Sequence, residues 1–264
     1  MRVGFIGCGN MGRAMLVGMI ESGKVSADQI VVFDKAVTSM KQIEDKYGVT
    51  CVENSTEVVQ QADLIFLAVK PAVYELVLQD IKDIVNMQKI LVSIAPGKTL
   101  SWLEEKIGKA CKLIRTMPNT PALVKEGMMG VCANVSVSDT EVEEVRQLCG
   151  AFTKTELVPE NLMDVVTAVS GSSPAYVFMF IEAMADAAVE GGMPRSQAYT
   201  FAAQAVLGSA KMVLDTQLLP GVLKDMVCSP GGTTIQAVRV LEEQGMRAAV
   251  MDAMKTCIDK SRNM

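Results

Sequence analysis

A short apolar strand runs directly into three glycines near the start of the chain, in the stretch VGFIGCGNMGRAM at residues 3–15. Gly7, Gly9 and Gly12 form the pattern G-x-G-x-x-G, which combines a tight turn, a bare backbone beside a phosphate, and close packing of strand on helix. A helix beginning near Asn10 directs free N–H groups and the positive end of its dipole at that phosphate. Because the glycines follow a strand and open a helix, they predict a dinucleotide-binding turn, with an ordinary structural turn as the alternative.

Strand-like and helix-like segments alternate over the first half of the chain. The run Leu64–Val69 is apolar almost throughout, which is typical of a strand buried on both faces of a parallel sheet. Repeated alternation of this kind predicts an α/β fold with a Rossmann-like, doubly wound parallel sheet. The predicted strands are Arg2–Ile6, Ile30–Phe33, Thr50–Val52, Leu64–Val69, Lys89–Ile94, Lys112–Met117 and Gly127–Val137.

After about residue 160 the alternation stops, and long helical stretches rich in Ala, Met and Val follow. Several are apolar around much of their circumference, which a small solvated bundle does not tolerate. We therefore predict a boundary near Lys154–Pro159, with a dinucleotide-binding domain at 1–155 and an all-helical dimerisation and substrate-binding domain at 156–264. The predicted helices are Leu162–Val169, Ala175–Glu190, Arg195–Leu214, Val222–Cys228, Ile235–Gln244 and Met246–Arg262.

Histidine is absent from all 264 residues, which restricts the chemistry of this chain. Its absence removes His-based triads, the usual zinc sites and imidazole acid–base catalysis, and we expect no metal. Seven cysteines, an odd number without a C-x-x-C pair, predict free thiols in a reducing, cytoplasmic compartment. We expect Cys8 and Cys228 to be exposed enough for alkylation, and the other five cysteines to lie in the core.

Charge and hydropathy argue against nucleic acid and membrane as partners. The net charge is −5 and no Lys/Arg cluster stands out. The amino-terminal segment lacks the order of charge, apolar run and cleavage site that a signal peptide has. The most apolar later run, Val165–Ile181, contains Gly171 and Pro174 and is followed by Glu182, so we expect it not to span a membrane.

Asp34 follows the second predicted strand, at about the 20-residue distance from the glycine turn where an acidic residue binds the adenosine ribose. A carboxylate there accepts hydrogen bonds from both ribose hydroxyls and repels a 2′-phosphate. This favours NADH over NADPH. Lys35 weakens the argument, because a neighbouring cation compensates for a phosphate, and Asp34 has the alternative role of capping the next helix.

Three further loops follow predicted strands and should meet at the same sheet edge. Lys70 in the loop Ala68–Pro71 is a candidate cofactor contact, Ile94–Gly97 should line the nicotinamide side, and Met117–Pro121 displays Asn119. The complete predicted set of cofactor-binding residues is Ile6, Gly7, Cys8, Gly9, Asn10, Met11, Gly12, Asp34, Lys35, Ala68, Val69, Lys70, Pro71, Ala95 and Asn119.

Two Gly/Ser-rich stretches stand out in the second half. Cys228–Thr234 precedes a predicted helix, so its N–H groups form an anion site, and glycines 231 and 232 let a small carboxylate approach. An ordinary capped helix start is the alternative. The other stretch, Ser170–Tyr176, places Pro174 at a suitable N1 position, and is either a helix–helix corner or a substrate contact.

Taken together, these motifs resemble pyrroline-5-carboxylate reductases along essentially the whole chain. The resemblance is carried by VGFIGCGNMGRAM, LAVKP at 67–71, MPNTPALVKEG at 117–127, AVSGSSPAY at 168–176 and LKDMVCSPGGTTIQAV at 223–238. It implies reduction of L-1-pyrroline-5-carboxylate to L-proline with NADH or NADPH, the last step of proline biosynthesis, by a homodimer or a multimer of dimers. It also implies that Ser229, Gly231, Gly232 and Thr233 hold the substrate carboxylate while Thr234 bonds the ring nitrogen.

On this resemblance Thr234 and Ser229 are the catalytic candidates. This chain departs from the family at Ser173, where glycine is frequent, and at Asp34, where NADPH-preferring members often carry a small or polar residue. Two rival functions remain. A β-hydroxyacid-type dehydrogenase would need a catalytic lysine, for which Lys211 and Lys224 are candidates, and a sensor would bind NAD(H) without turnover.

Overall fold

The computed structural model describes residues 1–264 and contains one eight-stranded sheet. Its strand order is β3-β2-β1-β4-β5-β6-β7-β8. The first six strands are parallel, β7 is antiparallel to β6, and β8 is parallel to β7. The strands are β1 Val3–Ile6, β2 Ile30–Phe33, β3 Thr50–Cys51, β4 Leu64–Leu67, β5 Ile90–Ser93, β6 Lys112–Met117, β7 Gly127–Ala133 and β8 Thr153–Leu157.

Helices cover both faces of the sheet and then make up most of the remaining chain. Six of them follow strands, and the others lie beyond β8. They are α1 Asn10–Glu21, α2 Val37–Tyr47, α3 Ser55–Gln61, α4 Tyr74–Ile81, α5 Leu100–Ile107, α6 Asp139–Cys149, α7 Met163–Val166, α8 Ser173–Glu190, α9 Arg195–Thr216, α10 Pro220–Met226, α11 Thr233–Glu243 and α12 Met246–Arg262. The predicted fold, a Rossmann-like sheet followed by a helical region, is confirmed.

The centre of the sheet is its most apolar part. β1 and β4 are buried along their whole lengths, and Phe5 stacks on Phe66 across this pair with ring centroids 5.1 Å apart. Burying each phenylalanine stabilises the unit by about 1.5–3 kcal/mol. Because the chain reverses its direction of winding between β1 and β4, the carboxyl ends of these strands open a crevice there, which is where such sheets bind ligands.

Strand β8 was not predicted. Its sequence, TKTEL, is polar and largely exposed, yet it pairs with β7 from Gly127 opposite Thr153 to Val131 opposite Leu157. It is an edge strand, and Arg146 covers it by donating to the Thr155 carbonyl at 3.1 Å. Edge strands lack the apolar pattern of buried ones, so the sequence carried little signal for it.

The structure divides into two compact units with limits other than residue 155. The first unit comprises Met1–Ser172 together with Cys257–Met264, and the second comprises Ser173–Thr256. A division at residue 155 falls inside β8, which belongs to the sheet.

An ionic group around the buried Arg115 joins separate segments within the first unit. The Arg115 guanidinium, on β6, donates to Glu160 Oε1 at 3.0 Å, and the same oxygen accepts the N–H of Leu100 at 2.6 Å. Asp164 lies 4.0 Å from Arg115 and accepts a hydrogen bond from Ser261 Oγ at 2.6 Å. These partners tie Glu160, the following helix α7 and the end of α12 to the sheet.

Candidate dinucleotide and anion sites

Each glycine of the first turn has its own structural requirement. Gly7 has φ +98°, and a Cβ there would lie 2.7 Å from the backbone of Ala68. A Cβ on Gly12 would lie 2.6 Å from the carbonyl oxygen of Gly7. Gly9, in contrast, has nothing within 4 Å of that position. Gly7 and Gly12 therefore serve the turn itself, whereas the space beside Gly9 is open to a ligand.

Asp34 is fixed against this turn by two backbone groups. Its Oδ2 accepts the N–H of Cys8 at 2.6 Å, and its Oδ1 accepts the N–H of Ala36 at 2.8 Å. The second bond forms a local turn ahead of α2, but the N-cap of that helix is Ala36 and no side chain caps it, so the alternative capping role is not observed. Each carboxylate oxygen has a further lone pair, which leaves Asp34 able to accept from a ribose hydroxyl.

A cavity of about 420 Å³ lies beside the turn at the carboxyl ends of β1, β2 and β4. Eight of the predicted cofactor residues line it: Ile6, Gly7, Gly9, Asp34, Lys35, Ala68, Val69 and Lys70. Four further lining residues were missed by the sequence analysis: Phe33, Ala36, Val73 and Val77. The sequence could have indicated two of these, because Val73 and Val77 are four residues apart and so lie on one face of a helix.

The remaining predicted cofactor residues lie outside this cavity. Asn10, Met11 and Gly12 form the first turn of α1, and Pro71 begins a 3₁₀ turn after β4. Ala95 is buried and its N–H donates to Ser93 Oγ at 3.4 Å. Asn119 is 8% exposed, and its amide bonds other parts of the chain.

Cys8 also lies outside the cavity lining, and its predicted exposure is wrong. The side chain is 2% exposed, because it packs into the core cluster beneath α1. Burial, and to a lesser extent the nearby Asp34 carboxylate, raises the pKa of the Cys8 thiol to about 12. Cys228, Cys51 and Cys257 are all half-buried, so Cys51 and Cys257 do not lie in the core as predicted.

Tyr74 supports the loops that surround the cavity. Its ring is fully buried at the start of α4, and its hydroxyl donates to the Leu67 carbonyl at the end of β4. The same oxygen accepts from Ser93 Oγ and from the N–H of Ile94, each at 3.2 Å, at the end of β5. Burial raises the pKa of Tyr74 to about 12. One neutral hydroxyl thus holds the carboxyl ends of two adjacent strands together.

The loop before α11 has the geometry of an anion site. Gly231 has φ +70°, and the N–H of Gly232 closes the turn by donating to the Ser229 carbonyl at 3.0 Å. Gly232 is the N-cap of α11 and offers no side chain to the first helical N–H groups. Thr233 and Thr234 fall inside α11, two residues earlier than predicted, and both are exposed. Free N–H groups and hydroxyls are therefore presented together.

The stretch around Ser170–Tyr176 is not a helix–helix corner. Residues Glu160–Glu190 form one continuous helix, in which Thr167–Ser172 adopt a π-helical turn between α7 and α8. The π turn occurs just before Pro174, whose ring requires more room than an α-helix provides.

Family models match both halves of the chain. Residues 160–264 match the model described as pyrroline-5-carboxylate reductase dimerisation. Residues 2–97 match the model described as NADP oxidoreductase, coenzyme F420-dependent.

Full-length similarity extends across bacteria and plants. The chain is 54% identical to the pyrroline-5-carboxylate reductase of Escherichia coli K12, covering 100% of this chain and 98% of the relative, and 39% identical to that of Arabidopsis thaliana, covering 100% and 95%. Two solved structures are also similar. The Coxiella burnetii pyrroline-5-carboxylate reductase gives a TM-score of 0.92 at 33% identity over 99% of this chain and 97% of that one. The Plasmodium falciparum pyrroline carboxylate reductase with NADP bound gives 0.91 at 31% over 100% and 97%. The chain therefore belongs to the pyrroline-5-carboxylate reductase family.

Proposed function

We propose that this protein reduces L-1-pyrroline-5-carboxylate to L-proline with a nicotinamide dinucleotide as the electron donor. The observation that carries the proposal is the presence, in one chain, of two distinct sites. One is the glycine turn with its cavity, and the other is the segment Ser229–Thr234 at the start of α11, whose free N–H groups suit a small carboxylate. Membership of the reductase family supports this assignment.

The reaction requires little acid–base catalysis by the protein, which is consistent with a chain without histidine. The nicotinamide, when bound, supplies a hydride that adds to C5 of the protonated imine, and the ring nitrogen keeps its proton and becomes the secondary amine. We propose that Ser229, Gly231, Gly232 and Thr233 bind the substrate carboxylate. Thr234 and Ser229 place the ring, with Thr234 bonded to its nitrogen. Orientation of this kind contributes about 7–11 kcal/mol in favourable cases.

The direct test is loss of NADH absorbance when L-1-pyrroline-5-carboxylate is added to the purified protein. Turnover with stoichiometric formation of proline supports the proposal, and binding of NADH without turnover would identify a sensor instead. The dehydrogenase alternative is disfavoured by its candidate lysines. Lys211 pairs with Asp215 on an exposed helix surface, and the half-buried Lys224 pairs with Asp225 at 2.5 Å.

Asp34 supports a preference for NADH within the proposed function. Its carboxylate is held by two N–H groups beside the cavity and cannot turn away from a 2′-phosphate without breaking them. We expect wild-type kcat/KM to be higher with NADH, and Asp34→Ser to shift the ratio towards NADPH by roughly tenfold or more, because like charges near a surface repel by several kcal/mol. Asp28→Ser, the same change at an exposed site, should leave the ratio unchanged. A wild-type preference for NADPH of tenfold would contradict this interpretation.

Self-association follows from the exposed apolar surface of the second unit. Large apolar side chains such as Phe178, Met179 and Phe201 are at least 60% exposed. The helix Glu160–Glu190 is long and apolar enough to cross a membrane by length and composition, with only 11% of its most apolar window buried. A partner subunit would cover this surface. The family model described as pyrroline-5-carboxylate reductase dimerisation matches residues 160–264, which include these side chains. We expect light scattering to give at least twice 28.3 kDa at micromolar concentration. A fully active species of 28.3 kDa would contradict a dimer.

Thr234→Ala tests the proposed bond to the ring nitrogen. Loss of one hydrogen bond to a partly buried ligand costs about 0.5–3 kcal/mol, depending on the charge of the partner. We therefore expect kcat/KM for the imine to fall about two- to a hundredfold, with NADH binding unchanged. Thr200→Ala, which removes an exposed hydroxyl bonded to the Ser196 carbonyl within α9, is the matched control and should behave as wild type. Wild-type imine kinetics in Thr234→Ala would show that this hydroxyl is not used.

A further inference from the structure

Pro174 leaves a gap in the hydrogen bonding of the long helix. It is the second residue of α8, and proline has no N–H to donate to the carbonyl four residues earlier, which its ring also displaces. That carbonyl belongs to Ser170, within the π-helical turn Thr167–Ser172. Because a half-buried carbonyl needs a donor, the helix depends on another part of the chain to supply one.

Asn119 supplies that donor. Its Nδ2–H donates to the Ser170 carbonyl at 3.0 Å, while its Oδ1 accepts the N–H of Met128 at 2.8 Å. The side chain is 8% exposed and lies just beyond the end of β6. Both ends of the amide are therefore engaged by the chain itself, and the amide links the start of β7 to the π turn.

The π turn sits directly on the carboxyl end of β6. A Cβ on Gly171 would lie 2.6 Å from Met117 Cε, so the turn packs closely against the end of the Met117 side chain. β6 pairs with β5, and Thr116 Oγ1 donates to the Ser93 carbonyl at 3.0 Å. In doubly wound sheets the crevice at these carboxyl ends takes the second mononucleotide half of the cofactor, which carries the nicotinamide.

We propose that Asn119 is a positioning residue rather than a cofactor ligand. By occupying the Ser170 carbonyl that Pro174 cannot serve, it holds the π turn against the nicotinamide side of the crevice. The inference rests on the proposed reductase function. Its consequence is that loss of the Asn119 amide disorders the wall beside the reacting ring, while the adenosine and pyrophosphate contacts stay in place.

Asn119→Ala tests the inference, with Asn134→Ala as the matched control. Asn134 is also a bridging amide, since it donates to the Cys111 carbonyl at 2.9 Å and accepts from Leu113 at 3.2 Å, but it lies at the opposite end of β6. We expect Asn119→Ala to lower kcat at saturation about tenfold or more, because small misplacements of reacting groups are costly. The Kd for NADH should change less than threefold. Asn134→Ala should keep the wild-type kcat.

Pro174→Ala completes a double-mutant cycle that needs no turnover. Alanine at 174 supplies the missing N–H, so the loss of melting temperature caused by Asn119→Ala should be at least halved in the Pro174→Ala background. An equal loss in both backgrounds would overturn the link between the two residues.

The kinetic experiment has its own contrary outcomes. A tenfold rise in the NADH Kd with unchanged kcat would make Asn119 a cofactor ligand. Equal kcat losses in both asparagine variants would leave only a general structural role. Failure of imine reduction in the wild type would refute the function without affecting the melting cycle.

Discussion

Gly9→Val is expected to weaken NADH binding about a hundredfold or more without changing the melting temperature. The space beside Gly9 holds no atom within 4 Å, and its backbone φ of −68° is accessible to valine. The new Cβ therefore has room in the protein, and the side chain fills the position where a pyrophosphate approaches the backbone. Hydrogen bonds to charged groups contribute about 1.5–3 kcal/mol each, so losing two of them costs roughly two to four orders of magnitude in affinity.

Isothermal calorimetry with NADH and thermal unfolding on the same sample would check this expectation. Gly221→Val is the control, because Gly221 also has open space around it but lies on α10 in the second unit. It should bind NADH as wild type. If Gly9→Val binds NADH within fivefold of the wild type, the cofactor does not use this turn.

Gly232→Val is expected to reduce kcat/KM for the imine about a hundredfold or more while NADH binding stays unchanged. A Cβ at this position would lie 2.4 Å from Ser229 Oγ and 3.1 Å from the Ser229 carbonyl oxygen. The substitution therefore displaces the serine hydroxyl and crowds the free N–H groups at the start of α11. Several proposed carboxylate contacts are lost together, which makes the effect larger than that of Thr234→Ala.

The two glycine variants form a reciprocal pair, because each should damage one ligand site and spare the other. Steady-state kinetics with varied imine, together with NADH titration, would separate them. Gly221→Val again serves as the control for valine in the second unit. Wild-type imine kinetics in Gly232→Val, or a defect confined to NADH binding, would show that Ser229–Thr234 is only the start of a helix.

Features with a local cause were predicted from the sequence. The glycine turn is one, since its three requirements follow from backbone sterics within a few residues, and φ +98° at Gly7 agrees with them. The helix Met246–Arg262 was predicted with its observed bounds, and β1 to β6 lie where apolar runs are bounded by turn residues. Family motifs placed the Ser229–Thr234 loop before a helix, although α11 begins two residues earlier than expected.

Features that depend on distant partners were decided only by the tertiary structure. Strand β8 forms because the backbone of β7 provides hydrogen-bond partners for it. Cys8 is buried because α1 packs over it. Asp34 accepts a hydrogen bond from Cys8 in the glycine turn that it was expected only to face. Asn119 donates to the Ser170 carbonyl, to which Pro174 has no N–H to donate. Backbone sterics and apolar periodicity depend on residues that are neighbours in the sequence. Strand pairing, side-chain burial and the choice of hydrogen-bond partner depend on contacts between segments far apart in the chain.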